Sequence, residues 1–209
     1  MHELGPREIE ERSMAIIEEQ VPELALLPFA EREVIKRAIH TTGDLAFGEL
    51  VRFHPDAVTA ALAAIRAGRP VICDVNMVRT GINARRLAHF GMEAVCYVSD
   101  PDVAREASTL GTTRAALGLR RACAALPSGL VAVGNAPTAL FALCEMIDRG
   151  SFRPDVVVAT AVGFVGAAES KDLLMQKGVP YVAVSGTRGG SAVAAAILNA
   201  LLKLAARED

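Results

Sequence analysis

Apolar and polar positions change rhythm at Arg69-Pro70. Before that point apolar residues recur at helical spacing. Gly5-Pro6 opens an amphipathic helix that runs to about Gln20, Pro28 precedes a second from about Ala30 to Thr42, and Gly43 stops it. A third helix is predicted from about Pro55 to Ala67. Beyond it, short continuous apolar runs alternate with helical patterns: PVICDV, EAVCYV, GLVAVG, DVVVATAVG and YVAVSG. A run apolar at every position is a strand covered on both faces, which means a parallel sheet. Right-handed crossovers then put helices on both sides, giving a three-layer α/β/α doubly wound fold with a mainly parallel five-stranded sheet and N-terminal helices.

The chain has 209 residues, which suits one domain over residues 1–209 with a core large enough to need no staples. The loop from Arg149 to Pro154 is too short to separate domains. No apolar run approaches the roughly 18 residues that span a bilayer. The opening MHELGPREIEERS is acidic and helical in pattern, unlike a signal or transit peptide, so a cytoplasmic location is expected. Cys73, Cys96, Cys123 and Cys144 lie in apolar patterns at wide spacing, as reduced, buried thiols do. A net charge of −2, with two Tyr, seven Phe and no Trp, gives neither the field nor the stacking surface for nucleic acid.

Three strand-like runs break into loops of small residues and restart as helices: VAVGNAPTALFALCEM, VVVATAVGFVGAAESKDLL and YVAVSGTRGGSAVAAAILNALL. Backbone N–H groups at such helix starts are expected to lie open to an anionic ligand. In a doubly wound sheet ligands bind beyond the carboxyl ends of the strands, where this chain carries Asp74, Asn76, Gly134, Asn135, Gly163, Gly186 and Arg188.

Individual residues add chemistry. His40 ends the second helix, whose C-terminus favours an imidazolium while Lys36 and Arg37 one turn back oppose it; the ring is either a cap or a proton donor and acceptor. Ser13 interrupts the apolar stripe of the first helix, and its hydroxyl either bonds back to its own helix or meets a ligand. Arg114 sits near the start of a helix that Thr112 or Thr113 can cap, a place that suits a carboxylate partner or a solvated side chain. Asn83 reads as a turn or cap, and Arg79, Arg85 and Arg86 as a solvated helix face. His2, His40, His54 and His89 lack ligand spacing, so no metal site is expected. There is no Walker loop and no GxSxG elbow, and GFVGAA lacks the spacing of a dinucleotide fingerprint.

At IHTTGD, DVNMVRTGIN, TTRAALGL, VGNAPTALF, GFVGAAESK and TRGGSAVAAAILNALL the chain resembles the precorrin-8X methylmutase family of corrin biosynthesis, in order and over nearly its whole length. The resemblance implies a Rossmann-like α/β/α domain and an isomerase that moves a methyl group from C-11 to C-12 of the macrocycle. It implies a tetrapyrrole substrate, precorrin-8X or its cobalt complex, and no cofactor. IKRAIHTT, CYVSDP and the Thr before Arg114 lean toward the cobalt branch. The family's proton donor falls on His40, and its substrate contacts on Ser13, Asn83 and Arg114, with Asn135, Pro137, Thr138, Gly163 and Arg188 bordering the ring. A homodimer is expected from the family habit and from the Ala-rich terminal helix. The rival from another class is a non-catalytic corrinoid or tetrapyrrole carrier, which does not need His40; a second is a nucleotide- or phosphate-binding enzyme.

Overall fold

A computed structural model describes residues 5–207; residues 1–4, including His2, and 208–209 lie outside the described residues. The sheet is six-stranded, in the order β1-β6-β5-β4-β2-β3. Its strands are β1 (Val51–Phe53), β2 (Val71–Cys73), β3 (Ala94–Val95), β4 (Leu130–Val133), β5 (Val156–Ala159) and β6 (Tyr181–Val184). The five expected strands run parallel, while β1 is an added antiparallel edge pairing Val51 with Val184 and Phe53 with Val182.

Successive strand residues feed opposite layers, as the period-two geometry of a strand requires. Leu130, Ala132, Val156, Val158, Val182 and Val184 pack into one core, and Val131, Val133, Val157, Ala159 and Ala183 into the other. The first core is closed by α1 (Pro6–Gln20), α2 (Phe29–Thr42), α4 (Ala57–Arg66) and α11 (Ser191–Ala205). The second is closed by α8 (Arg114–Ala125), α9 (Pro137–Asp148) and α10 (Ala167–Met175). Short helices α3 (Phe47–Leu50), α5 (Asn76–Gly81) and α6 (Ala84–His89) and the amphipathic α7 (Pro101–Leu110) complete the chain.

Local signals act where expected. Gly43 takes the left-handed conformation (φ 65°) after α2 and returns its N–H to Ile39. Thr113 caps α8 by accepting from the Ala116 amide at 3.2 Å. The alanines of α11 do not form a free face: Ala194, Ala195, Ala196 and Ala200 are buried among the chain's own helices, chiefly α2, α4 and α5. The Ala-rich helix therefore gives no argument for a dimer. The four cysteines are free thiols, and burial pushes Cys144 up to about 11. No described helix is long and apolar enough to cross a membrane.

Candidate functional site at the carboxyl edge of the sheet

The strand order reverses between β2 and β4, so the crevice beyond their carboxyl ends is where a doubly wound sheet takes its ligand. Here the chain fills that crevice itself. The buried Asp74 carboxylate accepts from the amides of Gly134 (3.0 Å), Asn135 (2.9 Å) and Ala136 (2.7 Å), which are the donors expected to lie open at the start of α9. Burial pushes the Asp74 carboxyl above its usual range, and the amides of Ala136, Gly134, Asn135 and Val75 pull it back. The missing side chain at Gly134 serves packing, since a Cβ there would lie 2.5 Å from Val78 Cγ2 and 2.8 Å from Ser191 Cα. A phosphate offered to this crevice meets a carboxylate, which removes the ground for the nucleotide reading.

The two other loops bind each other. Gly163 donates to the Thr187 carbonyl at 3.0 Å, and Gly190 to Thr160 at 2.7 Å. Gly189 (φ 148°) lies so close to Thr160 that an added Cβ would sit 2.2 Å from its carbonyl oxygen. Between the loops the fully buried Lys171 of α10 donates to the carbonyls of Ala161 (2.8 Å) and Arg188 (2.9 Å). Burial lowers its amine from 10.5 to about 8. Arg188 in turn pairs with Asp44, Nη1 to Oδ2 at 2.7 Å, at the end of α2.

His40 is exposed at that same helix end and lies between two grooves. One, of about 460 Å³, runs between α2 and α11 and is lined by His40, Arg37, Arg86, Gly81, Asn199 and Lys203. The other, about 430 Å³, lies between α1 and α2 and brings the half-buried Ser13 to His40. The back-bonds expected of Ser13 are made instead by Thr42, Thr80 and Thr109; Ser13 makes none among the described residues. The cations expected to oppose an imidazolium are already neutralised, Lys36 by Glu18 and Glu33, Arg37 by Glu10. Asn83 is the α6 cap, accepting from the Arg86 amide at 3.1 Å, and its own amide donates to Asn199, which also holds the Gly81 carbonyl. Arg86, read from sequence as a solvated face, lines the His40 groove without an ion-pair partner among the described residues.

On the other flank, Arg114 is exposed at the first position of α8, again without an ion-pair partner among the described residues. Thr113 and Thr138 share a hydrogen bond of 2.7 Å, joining the start of α8 to that of α9 next to Pro137. The exposed Asn135 side chain projects from the same loop. Sequence reasoning missed the apolar surface of this edge: Phe164 is 93 % exposed, Val165 88 % and Met77 70 %. Phe164 and Val165 of GFVGAA lie in the loop between β5 and α10 and join neither core. No cluster of three or more His, Cys, Asp or Glu that could hold a metal occurs among the described residues.

Comparison with known proteins places this geometry. Residues 8–204 match the family model described as precorrin-8X methylmutase. The cobalt-precorrin-8 methylmutase of Priestia megaterium is 43% identical over 202 residues, 96% of this chain and 88% of that protein. The precorrin-8X methylmutase of a Sinorhizobium species is 42% identical, over 93% of both chains. The crystal structure of precorrin-8X methyl mutase from Thermus thermophilus superposes with a TM-score of 0.84 at 39% identity, over 95% of this chain and 97% of that one.

Proposed function

Because the chain belongs to the precorrin-8X methylmutase family, we propose that it is an isomerase of cobalamin biosynthesis that takes precorrin-8X or cobalt-precorrin-8 and moves one methyl group from C-11 to C-12. The carbon–carbon bond at C-11 breaks, the bond at C-12 forms, and the macrocycle gains and loses no atoms. Such a shift needs no nucleophile. It needs the ring held in one tautomer and conformation, with a proton placed on a ring nitrogen.

The observation that carries this reading is the character of the carboxyl edge. Exposed Phe164, Val165 and Met77 offer apolar surface to a flat conjugated ring, while Arg114 on one side and Arg86 on the other, without ion-pair partners among the described residues, can meet its peripheral carboxylates. A guanidinium binds a carboxylate through two parallel hydrogen bonds. In this proposal His40 is the proton donor, because it is a solvent-accessible imidazole at the junction of two grooves. Ser13 orients the ring beside it. Asn83, Asn135, Pro137, Thr138, Gly163 and Arg188 shape the rim, with the Arg188 guanidinium shared with Asp44. The chain acts as one domain, in the cytoplasm and as a homodimer; the dimer rests on the family resemblance alone.

Cobalt enters this scheme only as part of the substrate. Thr113 caps α8, which accounts for it without reference to the metal. The similarity to the Priestia and Sinorhizobium proteins is nearly equal, 43% and 42%. The test is incubation of the protein with each ring form, following the visible spectrum for corrin formation. Turnover of both, faster with cobalt, is expected; conversion of neither, with tight colour binding, would favour the carrier.

A further inference from the structure

We propose that Lys171 is a positioning residue for His40, acting through the Arg188 loop and Asp44. The inference rests on the assignment of His40 as proton donor.

The connection runs through contacts in series. Lys171 stands between the exits of β5 and β6 and grips one carbonyl from each, Ala161 and Arg188. The backbone of Arg188 is thereby fixed, and its guanidinium reaches across to Asp44. Asp44 uses its other oxygen to accept the Ala46 amide at 3.0 Å, and its own amide donates to Thr42 Oγ1 at 3.2 Å. Thr42 closes the chain by donating to the carbonyls of Ala38 and Ile39, the two residues before His40. Lys171 and His40 lie on opposite layers of the sheet, and this series joins them over its edge.

The two carbonyls explain why a lysine stands here rather than a methionine of similar length, since an ammonium can donate to both and a thioether to neither. An ammonium out of water is costly, and the two hydrogen bonds to carbonyls offset part of that cost only while both loops keep this arrangement. The Arg188–Asp44 pair alone is half exposed, its side chains at 54% and 39%, and a pair of that kind holds geometry poorly because both arms must be ordered for a small gain. Anchoring the Arg188 backbone from inside removes part of that ordering cost. The end of α2, and with it the imidazole, then keeps one place relative to the strand exits where the ring binds.

The test uses Lys171→Met, Asp44→Asn and the double variant in the full chain, with circular dichroism to confirm folding. Each single variant is expected to lower kcat roughly 10-fold to 100-fold with a smaller change in KM, the scale of a misplaced catalytic group. The double variant should lose no more than the worse single one, since both cut one series. Multiplied losses, as from two unconnected structural defects, would overturn the proposal. The His40 ring proton resonance should move in both variants and stay put in Arg114→Ala. An unmoved His40 signal in Lys171→Met and Asp44→Asn overturns the proposal whatever the turnover. If His40→Ala still makes corrin, the proton-donor reading fails, while a moved His40 resonance in the two variants still upholds the connection. If Lys171→Met does not fold, Lys171→Gln, whose arm is one bond shorter and so cannot hold both carbonyls at once, takes its place in each comparison.

Discussion

Replacing Lys171 by methionine changes how stability depends on pH, and the size of the change follows from burial. The side chain is fully buried, and loss of hydration, only partly offset by the charge of Asp172, lowers its amine from 10.5 to about 8. Once the chain unfolds, the amine regains its ordinary value. Between about 8 and 10.5 the unfolded state therefore binds more protons than the folded one, so stability rises with pH across that window. Below it both states are protonated and the fold bears the full cost of the buried charge. From about pH 7.5 to about pH 9.5, linkage gives the native protein a gain of about 2 kcal/mol that Lys171→Met lacks. For a chain of this size that is ~4–8 °C in Tm. Urea unfolding of both proteins at the two pH values isolates the effect, because the remaining titrating groups cancel in the difference. A difference that stays level across the window, or falls, would refute the buried ammonium.

Other residues give equally direct expectations. Asp74→Asn should cost about 1–3 kcal/mol, because an amide nitrogen turned toward the Gly134–Ala136 donors leaves buried N–H groups unpaired, and an unchanged Tm would contradict the clasp. Arg114→Ala should raise KM roughly 10-fold to 100-fold with the fold intact, as loss of a hydrogen bond to a charged group implies, and Arg114→Lys should restore only part; an unchanged KM would leave Arg114 as a solvated side chain. Phe164→Ser should leave Tm unaltered, since the ring is 93 % exposed, yet weaken binding of the corrin product in a spectral titration by up to about 1.5–3 kcal/mol. Equal affinity would remove the apolar loop from the site.

Much of the architecture was legible because each parallel strand is apolar at every position, so runs such as Leu130–Val133 announce burial on two faces. Val51–Phe53 was not: it is three residues long, carries an exposed Arg52, and exists only because β6 offers an edge to pair with. The small-residue loops were rightly located at the carboxyl edge but misread as open cradles. Asp74 and Gly134 are sixty residues apart, and nothing local says which carboxylate will reach those amides. The same holds for His40, whose neighbours Lys36 and Arg37 are neutralised partly from α1. Lys171 escaped notice and Arg86 was read as a solvated face because lysine and arginine are solvated by default, and only the tertiary fold shows one buried and the other facing a groove.

In the proposed reaction His40 delivers the proton that lets the methyl group migrate. Single-turnover conversion of precorrin-8X and of its cobalt complex by the native protein and by folded His40→Ala tests it most directly, followed by visible absorbance. His40→Ala is expected to bind substrate and product still but to form corrin about 10²–10⁴-fold more slowly, the usual scale for one general acid. Corrin formation by folded His40→Ala at the native rate would contradict it.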